Sequence, residues 1–160
     1  MKVNEPTQET TRWVAERMRA KDIEEFLAVS FASDPQQLAE MLVERYADHP
    51  HGFCFHDDRE PVAVGAMVEA RPNVITLMFF ATDRFADLAL PIARFTTRIL
   101  FPKYQAAGVH RIEAIAIDGY EHAHRWIELL GLKREGGPMR GFGKGGETFH
   151  QFAWVADDVR

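Results

Sequence analysis

The chain has 160 residues, 46% of them hydrophobic and 27% charged, and its 19 basic and 24 acidic side chains give a formal net charge of −5. That composition fits one globular domain over residues 1–160 and excludes collagen, a disordered chain and a disulfide scaffold, while the scattered charges give no basic face for nucleic acid. A lone Cys54, a polar opening without a signal-peptide pattern, and apolar runs well short of the roughly 20 residues of a spanning helix point to a cytoplasmic chain that does not enter a membrane.

After a polar extension over residues 1–11, Trp13 and Val14 mark a short first strand over residues 12–18. Asp22 with Glu25 has the form of a capping box, and Ile23, Phe26 and Leu27 keep helical spacing behind it, so a helix begins at Asp22. Ser33, Asp34 and Pro35 offer a cap with proline at the first helical position. Leu38, Met41, Leu42 and Tyr46 then line one face of a second helix ending near Asp48.

The period changes at His49. Residues 53–56 read as an aromatic strand, 57–60 as a turn, 62–69 as a second strand, and Arg71, Pro72 and Asn73 as another turn. Residues 74–80 form a nearly unbroken apolar run, the mark of a central strand buried on both faces. Pro91 opens the next helix, whose buried stripe of Ile92, Phe95 and Ile99 is interrupted by Pro102, and Gly108 closes the segment. Residues 109–117 alternate as a strand, which makes a βαβ unit with two parallel strands. A clearly amphipathic helix over residues 120–130 places Ala123, Trp126, Ile127 and Leu130 on one face and stops at Gly131. A glycine-rich stretch over 136–146, read as a flexible hairpin tip, precedes a last strand over 148–155.

Several side chains carry possible chemistry. Glu69, Glu113 and Asp118 are the carboxylate candidates. Asp118 stands out because it ends a parallel strand, where α/β sheets place ligands, and its alternative role is to cap the next helix. His122 and His124 point apart on their helix and read as surface histidines, so no metal site is expected. Cys54 reads as a small buried hydrophobe. Gly141 to Gly146 formally satisfy G-x-G-x-x-G but lead into a strand, so the dinucleotide context fails.

The element order resembles that of the GNAT family of N-acetyltransferases. The segment Trp126-Ile127-Glu128-Leu129-Leu130-Gly131-Leu132 is similar to the family's Tyr-Glu-x-Leu-Gly-Phe ending, and Arg17, Arg19 and Asp22 resemble its basic strand and acidic helix cap. The resemblance implies an α/β (α+β) GNAT-like fold, a central mixed twisted sheet of about six or seven strands with helices on both faces. It implies transfer of an acetyl group from acetyl-CoA to a primary amine between two splayed parallel strands. Asp118 or Glu113 would act through water as base and Tyr120 as acid. By position, Phe80 and Ala81 end the central strand, and Arg84 and Ala89 match the ends of the pyrophosphate loop Gln/Arg-x-x-Gly-x-Gly/Ala. The amides of Ile92 and Ala93 follow Pro91 as further cofactor donors.

The chain also departs from the pattern: Asp87 stands for the central glycine of that loop, Tyr120 for the pantetheine-contacting asparagine, and Ile127 for the proton-donating tyrosine. Two readings follow. The chain is an N-acetyltransferase with a degenerate cofactor loop, or it is a non-catalytic GNAT-fold structural or assembly protein such as a bacteriophage head or virion component. The second reading replaces acetyl-CoA and an amine acceptor with protein partners or a homo-oligomer, and the cytoplasm with the virion.

Overall fold

In the computed structural model, which describes residues 1–159, the polar opening is structured. Lys2–Asn4 forms strand β1, antiparallel to β2 at Gly52–His56, and Gln8–Ala15 forms helix α1. Thr7 and Thr10 make a reciprocal cap: the Thr10 amide donates to Thr7 Oγ1 at 3.2 Å and the Thr7 amide to Thr10 Oγ1 at 2.9 Å. This cap outweighs the strand preference of Trp13 and Val14, so the expected strand over 12–18 is instead mostly helix. Only Met18 keeps a bridge, to Thr82. Helix α2, Ala20–Ala28, starts before Asp22, with Arg19 as its cap residue. Helix α3, Pro35–Tyr46, matches expectation, with Asp34 accepting the Gln37 amide at 2.9 Å.

The chain forms two compact units. The first comprises Met1–Met67 and Met78–Leu88. It holds β1, β2, the start of β3 (Pro61–Arg71) and the end of β4 (Val74–Ala81), together with α1 to α3. Strand alternation sends Phe79 and Phe80 to opposite faces: Phe80 meets Phe26 of α2 edge-on at 5.9 Å, and Phe79 meets Phe85 at 5.5 Å.

The second unit comprises Val68–Leu77 and the chain from Ala89. Here β5, Arg111–Ile117, runs parallel to β4 with Val74 opposite Arg111 and Thr76 opposite Glu113, as the βαβ reading requires. The helix between them, α4, covers Phe85–Phe95 and so begins well before Pro91, which lies inside it. Pro102 does not end the helical path either. A π turn at Thr96–Leu100, in which the Phe101 amide reaches Thr96 O, widens the spiral just before Pro102 and leads into α5, Phe101–Ala106. Helix α6, Glu121–Leu129, ends at Gly131, whose φ of 91° is one that a side chain disfavours.

Strand β6, Lys133–Met139, takes in Gly136 and Gly137, where the register against β7 (Phe149–Val155) shifts between Glu135 and Met139. Part of the expected glycine-rich tip is therefore a bulged strand. The strands form a seven-stranded mixed sheet in the order β1-β2-β3-β4-β5-β7-β6. Among the described residues, no helix is long and apolar enough to cross a membrane.

Candidate functional site

The end of β4 is the first place where the chain carries candidate chemistry. Phe80 and Ala81 are fully buried. Ala81 has both backbone groups occupied: its amide donates to Asp22 Oδ2 at 3.0 Å and its carbonyl accepts from the Arg19 amide at 2.9 Å. The chain then turns through Thr82, Asp83 and Arg84 into α4, closed by the Phe85 amide on Thr82 O at 3.0 Å.

Arg84 sits in a ring of carboxylates, with Asp57 at 2.5 Å, Asp87 at 3.7 Å and Glu60 at 3.9 Å. Asp57 is fixed there by its own turn, in which its Oδ1 accepts the amides of Glu60 at 2.8 Å and Arg59 at 2.7 Å. Those two amides, and then Arg84, hold its carboxyl below the usual range. Thr82 Oγ1 and Arg84 Nε are buried with no hydrogen-bond partner among the described residues. An unpaired buried donor costs about 1–3 kcal/mol, which an oxygen-rich ligand relieves. As donors both suit an anionic oxygen, while Asp57, Glu60 and Asp87 already face the Arg84 guanidinium.

The remaining expected cofactor residues lie elsewhere along α4. Ala89, Ile92 and Ala93 are inside the helix, where amides bond back along it, and the Ala89 carbonyl lies 3.4 Å from Trp126 Nε1. The expectation that Ile92 and Ala93 donate from a helix start is thereby corrected. Proline favours the first helical turn, but here it occupies the interior, and the helix start is at Phe85.

The second place is the end of β5. Asp118 follows Ile117 with its amide on Thr148 O at 2.9 Å, and its side chain is 64% exposed. Its Oδ1 lies 2.6 Å from Nε2 of the buried His150. His150 Nδ1 faces Arg134 Nη1 at 3.5 Å, and Arg134 Nη2 lies 3.0 Å from His124 Nδ1. His124 Nε2 closes the chain on the Ile117 carbonyl at 2.9 Å.

The proton positions follow from the partners. A carbonyl only accepts, so His124 carries its proton on Nε2 and offers Nδ1 to Arg134. The Asp118 carboxylate sets the same arrangement on His150. The sequence builds this directly. Alternation puts His150 and Phe152 on one face of β7, and Arg134 of β6 lies opposite Phe152 in register, its guanidinium 5.4 Å from that ring. Helix α6 brings His124 to 5.4 Å from the His150 ring. The His150 hydrogen bond, followed by the nearby His150, His124 and Arg134 side chains in that order, holds the Asp118 carboxyl below the usual range.

Two readings of this region change. His124 is 2% exposed rather than a surface histidine. Asp118 does not cap α6, whose cap residue is Tyr120 and has no side-chain cap bond. The network was missed because its members come from four separate elements, β5, α6, β6 and β7. One signal was available: His124 lies three residues before Ile127, on the buried face of α6.

The other candidates lie apart from this network. Glu113 accepts from Arg111 Nε at 2.6 Å, Arg71 Nη2 at 3.2 Å and Thr76 Oγ1 at 3.5 Å, so two guanidiniums occupy it. Arg111 also grips Glu135 at 2.6 Å. Glu69 accepts the Asn73 amide at 3.2 Å within its hairpin turn. Tyr120 is buried beside Asp118 in sequence. Burial pushes the Cys54 thiol up to about 11, which suits the expected small core residue.

No family model and no curated protein sequence matches the chain. Solved structures do match along nearly its whole length. An acetyltransferase of the GNAT family from Bacillus anthracis has a TM-score of 0.68 at 12% identity, covering 96% of this chain and 93% of that one. A ribosomal-protein-alanine N-acetyltransferase from Brucella melitensis has a TM-score of 0.66 at 14% identity, covering 97% and 99%. A spermidine N-acetyltransferase from Vibrio cholerae has a TM-score of 0.64 at 11% identity, covering 97% and 95%. This chain has the fold of the GNAT acetyltransferases.

Proposed function

We propose that the chain is an N-acetyltransferase that moves the acetyl group of acetyl-CoA to a primary amine. The observation that carries this reading is a fold shared with acetyltransferases over almost the full length of both partners. Acetyl-CoA, when bound, supplies the acetyl group as an activated thioester. Thr82 and Arg84, whose Oγ1 and Nε are buried without a hydrogen-bond partner among the described residues, are the residues that would hold one of its phosphates.

Only a neutral amine is a nucleophile, so the acceptor ammonium must lose a proton before attack. Of the two carboxylates expected as base, Glu113 is taken by Arg71 and Arg111, which leaves Asp118 acting through water. Its carboxyl lies below the usual range, so it orients and polarises that water, which takes the ammonium proton and passes it on to solvent. Tyr120, at the start of α6, is the acid that returns a proton to the departing thiolate.

Thiol release measured with a panel of amines tests the reading. Turnover is expected with at least one amine, and Tyr120→Phe should lower kcat by about 10²-fold. The carboxylates around Arg84 favour the second reading, a GNAT fold kept for a non-catalytic role. Acetyl-CoA that neither binds nor turns over would select it.

A further inference from the structure

The Asp118 network contains more than an acetyl-transfer site requires. Asp118 is exposed, yet what stands behind it is buried: His150 directly, then Arg134, then His124 on the far side of the same guanidinium. One arginine therefore addresses two imidazoles at once, each through Nδ1. Every proton along the path is assigned. Arg134 donates to both rings, His150 donates onward to Asp118, and His124 donates to the Ile117 carbonyl at the very end of β5.

The two arms end on adjacent residues. One reaches the side chain of Asp118 and the other the backbone of Ile117, so Arg134 braces both the carboxylate and the strand end that carries it. We infer that Arg134, acting through His150 and His124, is the positioning residue that fixes the orientation of the Asp118 carboxylate at the end of β5. The catalytic meaning of this rests on the acetyl-transfer reading, but the brace itself does not.

Among the described residues, the charged and titratable groups facing this path are few. Beyond Asp118 at the end of β5 they are His150 of β7, Arg134 of β6, and His124 with Glu121 of α6. Glu121 Oε1 lies 3.9 Å from His124 Nδ1, too far for a hydrogen bond. Phe152 forms the floor, with its ring 5.4 Å from both the His124 ring and the Arg134 guanidinium. The carboxyl of Asp118 is low because His150 donates to it, with Arg134 and His124 adding to the effect. Removing the guanidinium frees both Nδ1 atoms and allows either ring to change tautomer, and the Asp118 carboxyl rises to the extent that His150, the first cause of its lowering, ceases to donate to it.

The test uses nuclear magnetic resonance on the whole chain, so that its readout does not depend on turnover. In the wild type, the imidazole nitrogens of His124 and His150 should both report a proton on Nε2 and a hydrogen-bonded acceptor at Nδ1. Arg134→Met should abolish the Nδ1 signature at both rings and move the Asp118 carboxyl titration upward, and Arg134→Lys should restore part of each. His150→Gln keeps a donor for Asp118 and serves as a second variant, with a smaller upward shift expected. Where turnover is present, the acid limb of kcat/KM in Arg134→Met should move to higher pH together with the carboxyl.

Two outcomes overturn the inference: an Asp118 titration unchanged in Arg134→Met, whatever His150→Gln does, or a wild-type ring protonated on Nδ1. Failure to turn over any amine sinks only the acetyl-transfer reading, because the tautomer and titration readouts are made without substrate.

Discussion

The Asp22 carboxylate accepts the Ala81 amide at 3.0 Å, which ties the start of α2 to the last residue of β4. Arg19 donates to the same carboxylate from Nε at 3.0 Å and Nη2 at 2.9 Å, and Asp22 is only 3% exposed. Its substitution removes a carboxylate that both a buried amide and a largely buried guanidinium use. Asp22→Ala should destabilise the fold by about 2–4 kcal/mol, and Asp22→Asn, which keeps one acceptor oxygen, by less. Urea unfolding at neutral pH measures both. A loss below about 0.5 kcal/mol for the alanine variant would contradict the account.

This pairing also shows where the sequence misleads. Asp22 followed by Glu25 has the spacing of a capping box, but the carboxylate serves a distant strand and a preceding arginine, a use that local spacing cannot reveal. Helices α3 and α6 were legible because their signals are local: Asp34 with Pro35 at one start, Gly131 at the other end. Helix α1 was not, because two threonines capping each other outweigh a weak strand pattern. The start of α4 was misplaced because Pro91 has the preferred identity for a helix opening, and only tertiary context tolerates it inside. At the site, Asp118 was legible as a residue ending a parallel strand. Its partners were not, since His124, Arg134 and His150 meet only through sheet register and helix packing.

Gly65 lies opposite Phe53 in the β2–β3 register. A Cβ added there would stand 2.4 Å from the Phe53 ring and 2.9 Å from the Met78 carbonyl oxygen, so the glycine is required by close approach. Gly65→Ala should cost about 1–3 kcal/mol, and adding Phe53→Leu should recover part of that loss. Chemical denaturation of the single and double variants checks the coupling. Purely additive losses would show that the ring is not the obstacle.

Asp87, which stands for the loop's central glycine under the resemblance, lies 3.7 Å from Arg84. Asp87→Asn removes the charge while keeping the size, so on the acetyl-transfer reading a phosphate competes for Arg84 with one carboxylate fewer. Acetyl-CoA should bind roughly threefold to tenfold more tightly, with the gain shrinking at high salt as expected for an exposed pair. Calorimetry at two ionic strengths measures this. An affinity unchanged at low salt would remove Asp87 from the phosphate account.

The Asp118 carboxyl, lowered in the folded chain chiefly by the His150 hydrogen bond, links stability to acid. Its contribution is fully present above the ordinary carboxylate value near about pH 4 and is lost as pH falls through the lower folded value. Asp118→Asn should therefore flatten the acid limb of the stability profile below about pH 4 and leave the shape near neutrality unchanged. Melting temperatures recorded across that range test it. An acid limb identical to the wild type's would show that Asp118 carries no such linkage.

The central claim, that this GNAT fold works on acetyl-CoA, is tested most directly by calorimetric titration of the purified chain with acetyl-CoA beside its Arg84→Ala variant. The account predicts micromolar binding by the wild type, weakened about tenfold in the variant, and a stabilisation of about 2.7 kcal/mol when ligand reaches 100 times Kd. No heat and no shift in melting up to millimolar acetyl-CoA would contradict it.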